Sequence, residues 1–172
     1  MPKTCAPWLA ILALIGHLLL VPVAAGELQS VPPAPAPALS LADLQGRPLD
    51  LSALRGKVVL INFWATYCKP CREEMPSLDR LRSRLGPGGF EVIGVDVAED
   101  ADTVRRFLAT TSVGFPLTLD PEGAVMGRWK AIALPTTIVV DRRGRIRARL
   151  TGGADWEDEA IITRLQKLMT EP

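Results

Sequence analysis

Histidine and cysteine are scarce in this chain of 172 residues, which contains one His and three Cys. The single histidine, His17, lies in an apolar N-terminal run, and the rest of the chain has none. Without imidazole, that rest cannot perform Ser-His-Asp or Cys-His catalysis, nor form a zinc site that needs a histidine ligand. A balance of 20 Lys+Arg against 19 Asp+Glu also lacks the basic excess that nucleic-acid binding requires. We therefore expect no nucleic-acid partner.

Residues 1–25 have the pattern of a secretory signal peptide. Lys3 precedes an apolar stretch over residues 8–25, and the end of that stretch, Val23-Ala24-Ala25, offers the small residues of a cleavage site. We expect cleavage after Ala25, which Pro22 favours over a continuous helix. The alternative is a retained membrane tether through residues 8–25, because the run reaches the lower limit for spanning a bilayer. Both outcomes predict an exported protein, periplasmic or anchored to the outer face of the cytoplasmic membrane.

Residues 26–38 are rich in proline and alanine, which predicts an extended, semi-rigid linker. Residues 39–172 predict one folded domain, since a charged fraction of 23% and an apolar fraction of 48% are ordinary for a globular protein. The apolar pattern predicts the order β-β-β-α-β-α-β-α-β-β-α, with a hairpin over residues 39–51. Strand–helix–strand units indicate parallel pairing, and the last two strands an antiparallel hairpin. The expected fold class is α/β, with a mixed central sheet flanked by helices.

Two cysteines, Cys68 and Cys71, stand between a buried strand and the start of a helix. There the helix dipole and unpaired backbone N–H groups stabilise a thiolate on Cys68, and Lys69 adds a positive charge. Pro70 stiffens the loop between the cysteines. Cys71 lies one helical turn further on, so it can attack a mixed disulfide formed by Cys68. The pattern therefore favours a redox-active dithiol, with no metal and no cofactor.

Other interpretations of the cysteine pair are weaker. A disulfide that closes so short a loop would stabilise the fold by only about 2 kcal/mol, against about 5 for a loop of 100 residues. Tetrahedral zinc needs four ligands, which two thiols without histidine do not supply. A copper chaperone stays an alternative, but it needs a further ligand, for which Met75 is the nearby candidate. A docking module that uses the proline-rich segment would work without either cysteine.

Two stretches carry a resemblance to the thioredoxin superfamily, and more narrowly to the TlpA/ResA-like exported thiol–disulfide oxidoreductases. They read GKVVLINFWATYCKPC over residues 56–71 and LPTTIVVD over residues 134–141. The resemblance covers roughly residues 39–170. It implies a thioredoxin fold with an N-terminal β-hairpin and a central insert over about residues 98–120.

The resemblance also implies catalytic roles. Cys68 would be the exposed nucleophile and Cys71 the buried resolving thiol, and the two would form the redox disulfide Cys68–Cys71. Glu74 matches an acidic residue that lies close to the active site in ResA-like members. Its carboxylate could relay a proton to or from Cys71. The alternative for Glu74 is a plain acid in the first turn of a helix.

The same resemblance implies a substrate-binding surface. Pro135 matches a cis-proline that faces the cysteine pair, and the backbone of Leu134 before it would pair with an extended substrate strand, next to Thr136. Further contacts are expected from four residues of the redox loop: Trp64, Tyr67, Lys69 and Pro70. For the two aromatic residues, packing around the loop is favoured over substrate contact.

The direction of electron transfer does not follow from the residues, because it depends on the reduction potential and on the recharging partner. The resemblance favours a reductant of protein disulfides, for example those of apocytochrome c before haem attachment, that is recharged by a membrane thiol carrier. A thiol oxidant of the same fold is the alternative. A peroxiredoxin would need the pattern Pro-x-x-x-Thr-x-x-Cys, whereas Ala65 and Ile61 stand at the Thr and Pro positions before Cys68.

Overall fold

Eight strands and four α-helices lie within residues 26–172, the part of the chain that this computed structural model describes. The strands are β1 (Gln29–Pro35), β2 (Ser40–Ala42), β3 (Pro48–Asp50), β4 (Val58–Trp64), β5 (Phe90–Val97), β6 (Leu117–Asp120), β7 (Thr136–Val140) and β8 (Arg145–Thr151). The helices are α1 (Lys69–Leu85), α2 (Ala101–Leu108), α3 (Ala124–Arg128) and α4 (Glu159–Thr170). The predicted order of elements is confirmed, with β1 added at its start.

Six strands form one mixed sheet in the order β1-β8-β7-β4-β5-β6, and β2 pairs with β3 in the expected hairpin. Strand β5 is parallel to both β4 and β6, whereas β7 is antiparallel to β4 and to β8. The expectation of parallel pairing is therefore wrong for the unit β6-α3-β7. A parallel connection has to return the chain over the length of a strand, and helix α3, with only five residues, is too short to do so. Strand β7 therefore starts at the end of the sheet where β6 finishes.

Strand β1 corrects the prediction that residues 26–38 form a linker outside the folded domain. It pairs antiparallel with β8, from Gln29 opposite Arg149 to Pro35 opposite Arg145, with a register shift between. Proline has no N–H to give to a sheet, so a strand with three prolines is tolerated only at an edge, which is where β1 lies. The segment is extended, as predicted, but it is part of the sheet.

The residues just before β1 also belong to the fold. Leu28 is 5% exposed and packs in the hydrophobic core. The backbone N–H of Gly26 donates a hydrogen bond to the carbonyl oxygen of Gly153, just beyond β8, at 3.0 Å. The folded domain therefore begins before residue 39. Its first described residues lie beside the C-terminal end of β8. The predicted signal or anchor segment, residues 1–25, lies outside the described residues.

Two hydrophobic clusters cover the two faces of the sheet. Successive residues of a strand point to opposite faces, and Leu60 and Ile61 of β4 accordingly belong to different clusters. The Leu60 cluster contains residues of α1, α2 and α4, while the Ile61 cluster contains Val125 of α3, Trp129 and residues beside the hairpin. The mixed sheet flanked by helices is confirmed. The expected central insert, residues 98–120, contains α2 and β6.

Candidate active site

The two cysteines lie at the junction of β4 and α1 and form a disulfide, with their Cα atoms 5.3 Å apart. Cys68 is the N-cap of α1, and its sulfur accepts a hydrogen bond from the backbone N–H of Cys71 at 3.3 Å. Cys68 is 8% exposed, whereas Cys71 is completely buried. An incoming sulfur therefore reaches Cys68 first, and the N-terminus of α1 stabilises the thiolate that reduction leaves there.

The two residues between the cysteines are both exposed. Pro70 lies in the first turn of α1, where a missing N–H costs no hydrogen bond. The ammonium group of Lys69 pairs with the carboxylate of Glu73, one turn further along α1. This partner offsets much of the positive charge that the sequence placed beside the nucleophilic cysteine.

A cis peptide bond joins Leu134 to Pro135, immediately before β7. The carbonyl oxygen of Pro135 accepts a hydrogen bond from the N–H of Gly152 at 2.9 Å. Leu134 and Pro135 line a cleft of about 650 Å³ together with Pro70 and Glu74 of α1. The fold thus brings the cis-proline segment and the redox helix to the two sides of one cleft, although more than 60 residues separate them in the chain.

Two of the expected substrate contacts are buried. Trp64 is completely buried, with its ring centroid 5.5 Å from that of Phe107. Thr136 is 2% exposed, and its hydroxyl donates a hydrogen bond to the carbonyl oxygen of Ala133 at 2.7 Å. Trp64 thus has the packing role that the sequence analysis favoured for it. The buried Thr136 side chain is not available for substrate contact, which corrects its assignment to the binding surface. Tyr67, by contrast, is 66% exposed beside the nucleophilic cysteine.

Glu74 is buried one turn beyond Cys71, with 3% of its surface exposed. Its Oε1 accepts a hydrogen bond from Asn62 Nδ2 at 2.7 Å, and its Oε2 accepts from the backbone N–H of Ala154 and from Trp156 Nε1, each at 3.1 Å. Burial raises the pKa of Glu74 to about 7, although all three hydrogen bonds oppose that shift. The carboxyl group therefore gains and loses a proton near neutral pH.

The partners of Glu74 are functional residues that the sequence reasoning missed. Asn62 carried a signal, since it is a polar residue in an otherwise apolar strand. Its Nδ2 also donates to Thr137 Oγ1 at 2.9 Å, which fixes the amide against β7. Trp156 carried no such signal, because 82 residues separate it from Glu74 and only the folded chain brings them together.

Comparison with known proteins identifies a matching family and curated relatives. The AhpC/TSA family model matches residues 32–149. A thiol-disulfide oxidoreductase ResA of Geobacillus thermodenitrificans is 37% identical over 123 residues, which cover 72% of this chain and 71% of the relative. The protein of the same name from Bacillus subtilis is 31% identical over 144 residues, or 84% of this chain and 80% of the relative.

Solved structures agree with these relatives. A thiol:disulfide interchange protein of the thioredoxin family from Chlorobium tepidum matches with a TM-score of 0.69 at 26% identity, covering 82% of this chain and 99% of that one. A secreted thiol-disulfide isomerase from Corynebacterium glutamicum matches with a TM-score of 0.71 at 25% identity, covering 79% and 86%. The thioredoxin fold is thereby confirmed.

The fold and the cysteine pair together define a thiol–disulfide oxidoreductase. The chain belongs to the AhpC/TSA family of the thioredoxin superfamily, among its ResA-like thiol–disulfide oxidoreductases. The resemblance and the class of reaction expected from the sequence are confirmed. The active-site pattern of a peroxiredoxin does not occur at Cys68, where Ala65 and Ile61 replace the required threonine and proline.

Proposed function

We propose that this protein works as a reductant of protein disulfides outside the cytoplasm. In this proposal Cys68 and Cys71 supply two electrons to a substrate disulfide, and a membrane thiol carrier reduces them again. The disulfides of apocytochrome c before haem attachment are the proposed substrates. The relatives named ResA support this choice, and so does the acid–base chemistry beside the cysteines.

The observation that carries the reducing direction is the burial of Glu74 beside the cysteine pair. Strong oxidants of this fold owe their potential to a stabilised thiolate in the reduced form. Here the ammonium group of Lys69 is exposed and paired with Glu73, so water and the carboxylate both screen its charge from that thiolate. An ionised Glu74 would repel a thiolate on Cys71 and so favour the disulfide form. A protein that holds its own disulfide strongly is a good donor of electrons when reduced.

The proposed reaction proceeds in two exchanges. The Cys68 thiolate attacks one sulfur of the substrate disulfide, forms a mixed disulfide with it, and releases the other substrate sulfur as a thiolate, which takes up a proton. The Cys71 thiol then loses its proton, and its sulfur attacks the Cys68 sulfur. This step releases the second substrate thiol and forms the Cys68–Cys71 disulfide. The substrate gains two electrons from the two cysteines and two protons, one from Cys71 and one from water, which had received the proton of Cys68 when its thiolate formed.

We assign Glu74 to the second exchange as the group that takes the proton of Cys71. A pKa of about 7 gives the carboxyl group both protonation states near neutral pH, which is what a proton relay needs. Its hydrogen bonds to Asn62, Ala154 and Trp156 hold the carboxyl group in one orientation. The proton can pass from there to the leaving substrate sulfur in the cleft.

The cleft between Pro135 and Pro70 is the proposed binding site for the substrate. An extended segment can lie along the backbone of Leu134, with its disulfide over Cys68 and a side chain against the exposed ring of Tyr67. The copper-chaperone alternative loses its candidate ligand, because Met75 is 1% exposed and packs in the core.

The proposed location is the periplasm or the outer face of the cytoplasmic membrane. The signal-like pattern of residues 1–25 supports this proposal. Among residues 26–172, no helix combines the length and the hydrophobicity that crossing a membrane requires. A protein that reduces disulfides in an oxidising compartment needs a supply of electrons from the cytoplasm, which is why a membrane thiol carrier is the proposed donor.

The reduction potential of the Cys68–Cys71 pair tests the direction. Equilibration of the purified protein with dithiothreitol and glutathione buffers should give a reduction potential of about −270 mV or lower, as in thioredoxin. A value near about −120 mV, as in DsbA, would make the protein an oxidant and overturn the reducing direction.

A substrate experiment tests the second part of the proposal. The reduced protein should reduce an oxidised peptide that carries the Cys-x-x-Cys-His segment of an apocytochrome c faster than a peptide of the same composition in scrambled order. Equal rates for the two peptides would remove apocytochrome c as the preferred substrate, while leaving the reduction of disulfides in general intact.

A further inference from the structure

A second group of acidic side chains, Asp96 and Glu99, lies at and after the end of β5, the strand that pairs with β4 on the side away from β7. Glu99 stands in the loop after β5, and both of its carboxyl oxygens bind Thr66, two residues before Cys68. The backbone N–H of Thr66 donates to Oε2 at 2.5 Å, and the Thr66 hydroxyl donates to Oε1 at 2.6 Å. Hydrogen bonds to an ionised carboxylate are stronger than those between neutral groups, so Glu99 holds this residue firmly.

The carbonyl group of Thr66 is held as well. It accepts a hydrogen bond at 2.5 Å from Nη1 of Arg72, the residue that follows Cys71 in α1. The N–H of Cys68 in turn donates to the carbonyl oxygen of Ala65 at 3.1 Å. Both peptide groups of Thr66 are therefore fixed, one to the end of β5 and the other to α1. The position of Cys68 over the helix N-terminus depends on this short segment.

Asp96 lies next to Glu99 at the end of β5 and is completely buried. Among the described residues, neither of its carboxyl oxygens has a hydrogen-bond donor. Two carboxylates only accept hydrogen bonds, so Asp96 and Glu99 form a bond only when one of them keeps a proton. Burial, together with the hydrogen bond and the charge of Glu99, raises the pKa of Asp96 to about 8. Asp96 is therefore protonated at neutral pH, and in that form its carboxyl group can donate a hydrogen bond to Glu99.

We propose that Glu99, with Asp96 behind it, is a positioning residue of the reaction, which fixes Thr66 and thereby the Cys68 sulfur for attack on a disulfide. The inference rests on thiol–disulfide exchange itself and not on the direction in which it runs. Glu99 does not touch the reacting sulfurs. Its carboxylate acts through the Thr66 peptide, and its own orientation depends on the proton of Asp96.

The charges around this pair set the sign of its pH dependence. Asp100, on the same loop, adds negative charge, whereas Arg72 of α1 lies at the far side of Thr66. Arg106 of α2 faces Asp100, and the register neighbours of Asp96 on β4 and β6 are uncharged. When the pH rises above about 8, Asp96 loses its proton and repels Glu99. The two hydrogen bonds from Thr66 to Glu99 should then weaken.

Three variants test the proposal, with Asp102→Asn on α2 as a control for loss of an exposed acid. The measurement is the rate constant for attack of Cys68 on a small aromatic disulfide, divided by the thiolate fraction, between pH 6 and pH 10. We expect Glu99→Ala to lose about tenfold and to shift the Cys68 pKa, since Thr66 loses both hydrogen bonds. Glu99→Gln keeps one acceptor and should retain most of the rate. The control should match the unsubstituted protein.

Asp96→Asn gives the sharpest outcome, because its amide imitates protonated Asp96 at every pH. It should keep the rate at pH 7 and abolish the fall above pH 8 that the unsubstituted protein shows. This comparison also decides the matter if Glu99→Ala fails to fold. Unchanged rate and unchanged Cys68 pKa in Glu99→Ala would overturn the proposal. So would the same alkaline fall in Asp96→Asn as in the unsubstituted protein.

Discussion

Glu74 shows at the scale of one residue how burial outweighs hydrogen bonding. Three donors point at its carboxyl group, yet its pKa rises from the ordinary 4.5 to about 7. The unfolded chain therefore loses this proton at a lower pH than the folded chain does. Stability from this group is complete below pH 4.5 and falls as the pH rises to about 7, by about 3 kcal/mol in total.

We accordingly expect Glu74→Gln to remove this part of the pH dependence. Asn62 Oδ1 has no partner among the described residues, so its amide can turn to accept from the new Gln side chain. Urea unfolding at pH 5 and pH 8 should show a smaller loss of stability in the variant. The exposed neighbour Glu73→Gln is the control and should keep the full loss. A variant that loses as much stability as the unsubstituted protein would contradict the burial argument.

The unequal exposure of the two cysteines leads to a prediction about trapping. Cys68 keeps 8% of its surface exposed, whereas Cys71 is completely buried. Cys71→Ser should keep the first exchange and lose the second, so mixed disulfides with substrate accumulate and are visible on non-reducing gels. Cys68→Ser should give no such adducts and no turnover. Adducts that form through Cys71 in the second variant would show that the roles are reversed.

At the scale of secondary structure, the elements followed from the sequence where local pattern and burial agree. The unbroken apolar run of β4 and the helical spacing in α1 are of this kind. Strand β1 could not be predicted, because prolines have the same local preferences in a linker and in an edge strand. Only the pairing with β8 distinguishes the two, and that pairing is a tertiary contact.

In the candidate active site, too, local pattern predicts some residues and tertiary contacts alone determine others. A motif of adjacent residues identified Cys68 and Cys71 as the redox pair. The environment of Glu74 depends on Asn62 of β4 and on Ala154 and Trp156 of the segment after β8, which lie far from Glu74 in the chain. No local pattern encodes such a meeting of distant residues, so the pKa of Glu74 became evident only in the folded protein.

The role of β1 in the fold can be measured by replacing Leu28. This side chain is buried in the core just before the strand, so Leu28→Ala should destabilise the protein by about 2–4 kcal/mol. Pro32→Ala, in the exposed part of β1, is the matched control and should change stability by less than about 0.5 kcal/mol. Equal, small effects of both substitutions in urea unfolding would restore the interpretation of residues 26–38 as a linker outside the folded domain.

At the scale of the whole molecule, redox state and stability are linked. If reduction is as unfavourable as we propose, the oxidised protein should be more stable than the reduced protein by about 2 kcal/mol or more. Urea unfolding with and without dithiothreitol measures this difference. In a strong oxidant the order is reversed, because the reduced form is the stabilised one. A more stable reduced protein would therefore contradict the proposed direction independently of any substrate.

The contact between Gly26 and Gly153 has a consequence for orientation. Gly153 lines the cleft together with Pro135, so the chain enters the fold at its catalytic end. If residues 1–25 stay in the bilayer, we expect the catalytic end to lie near the membrane surface, because Gly26 already belongs to the fold. A carrier embedded in the bilayer then meets the cleft directly, whereas a soluble substrate has to approach from the side. Cleavage after Ala25 would remove this bias and let the protein turn freely towards both.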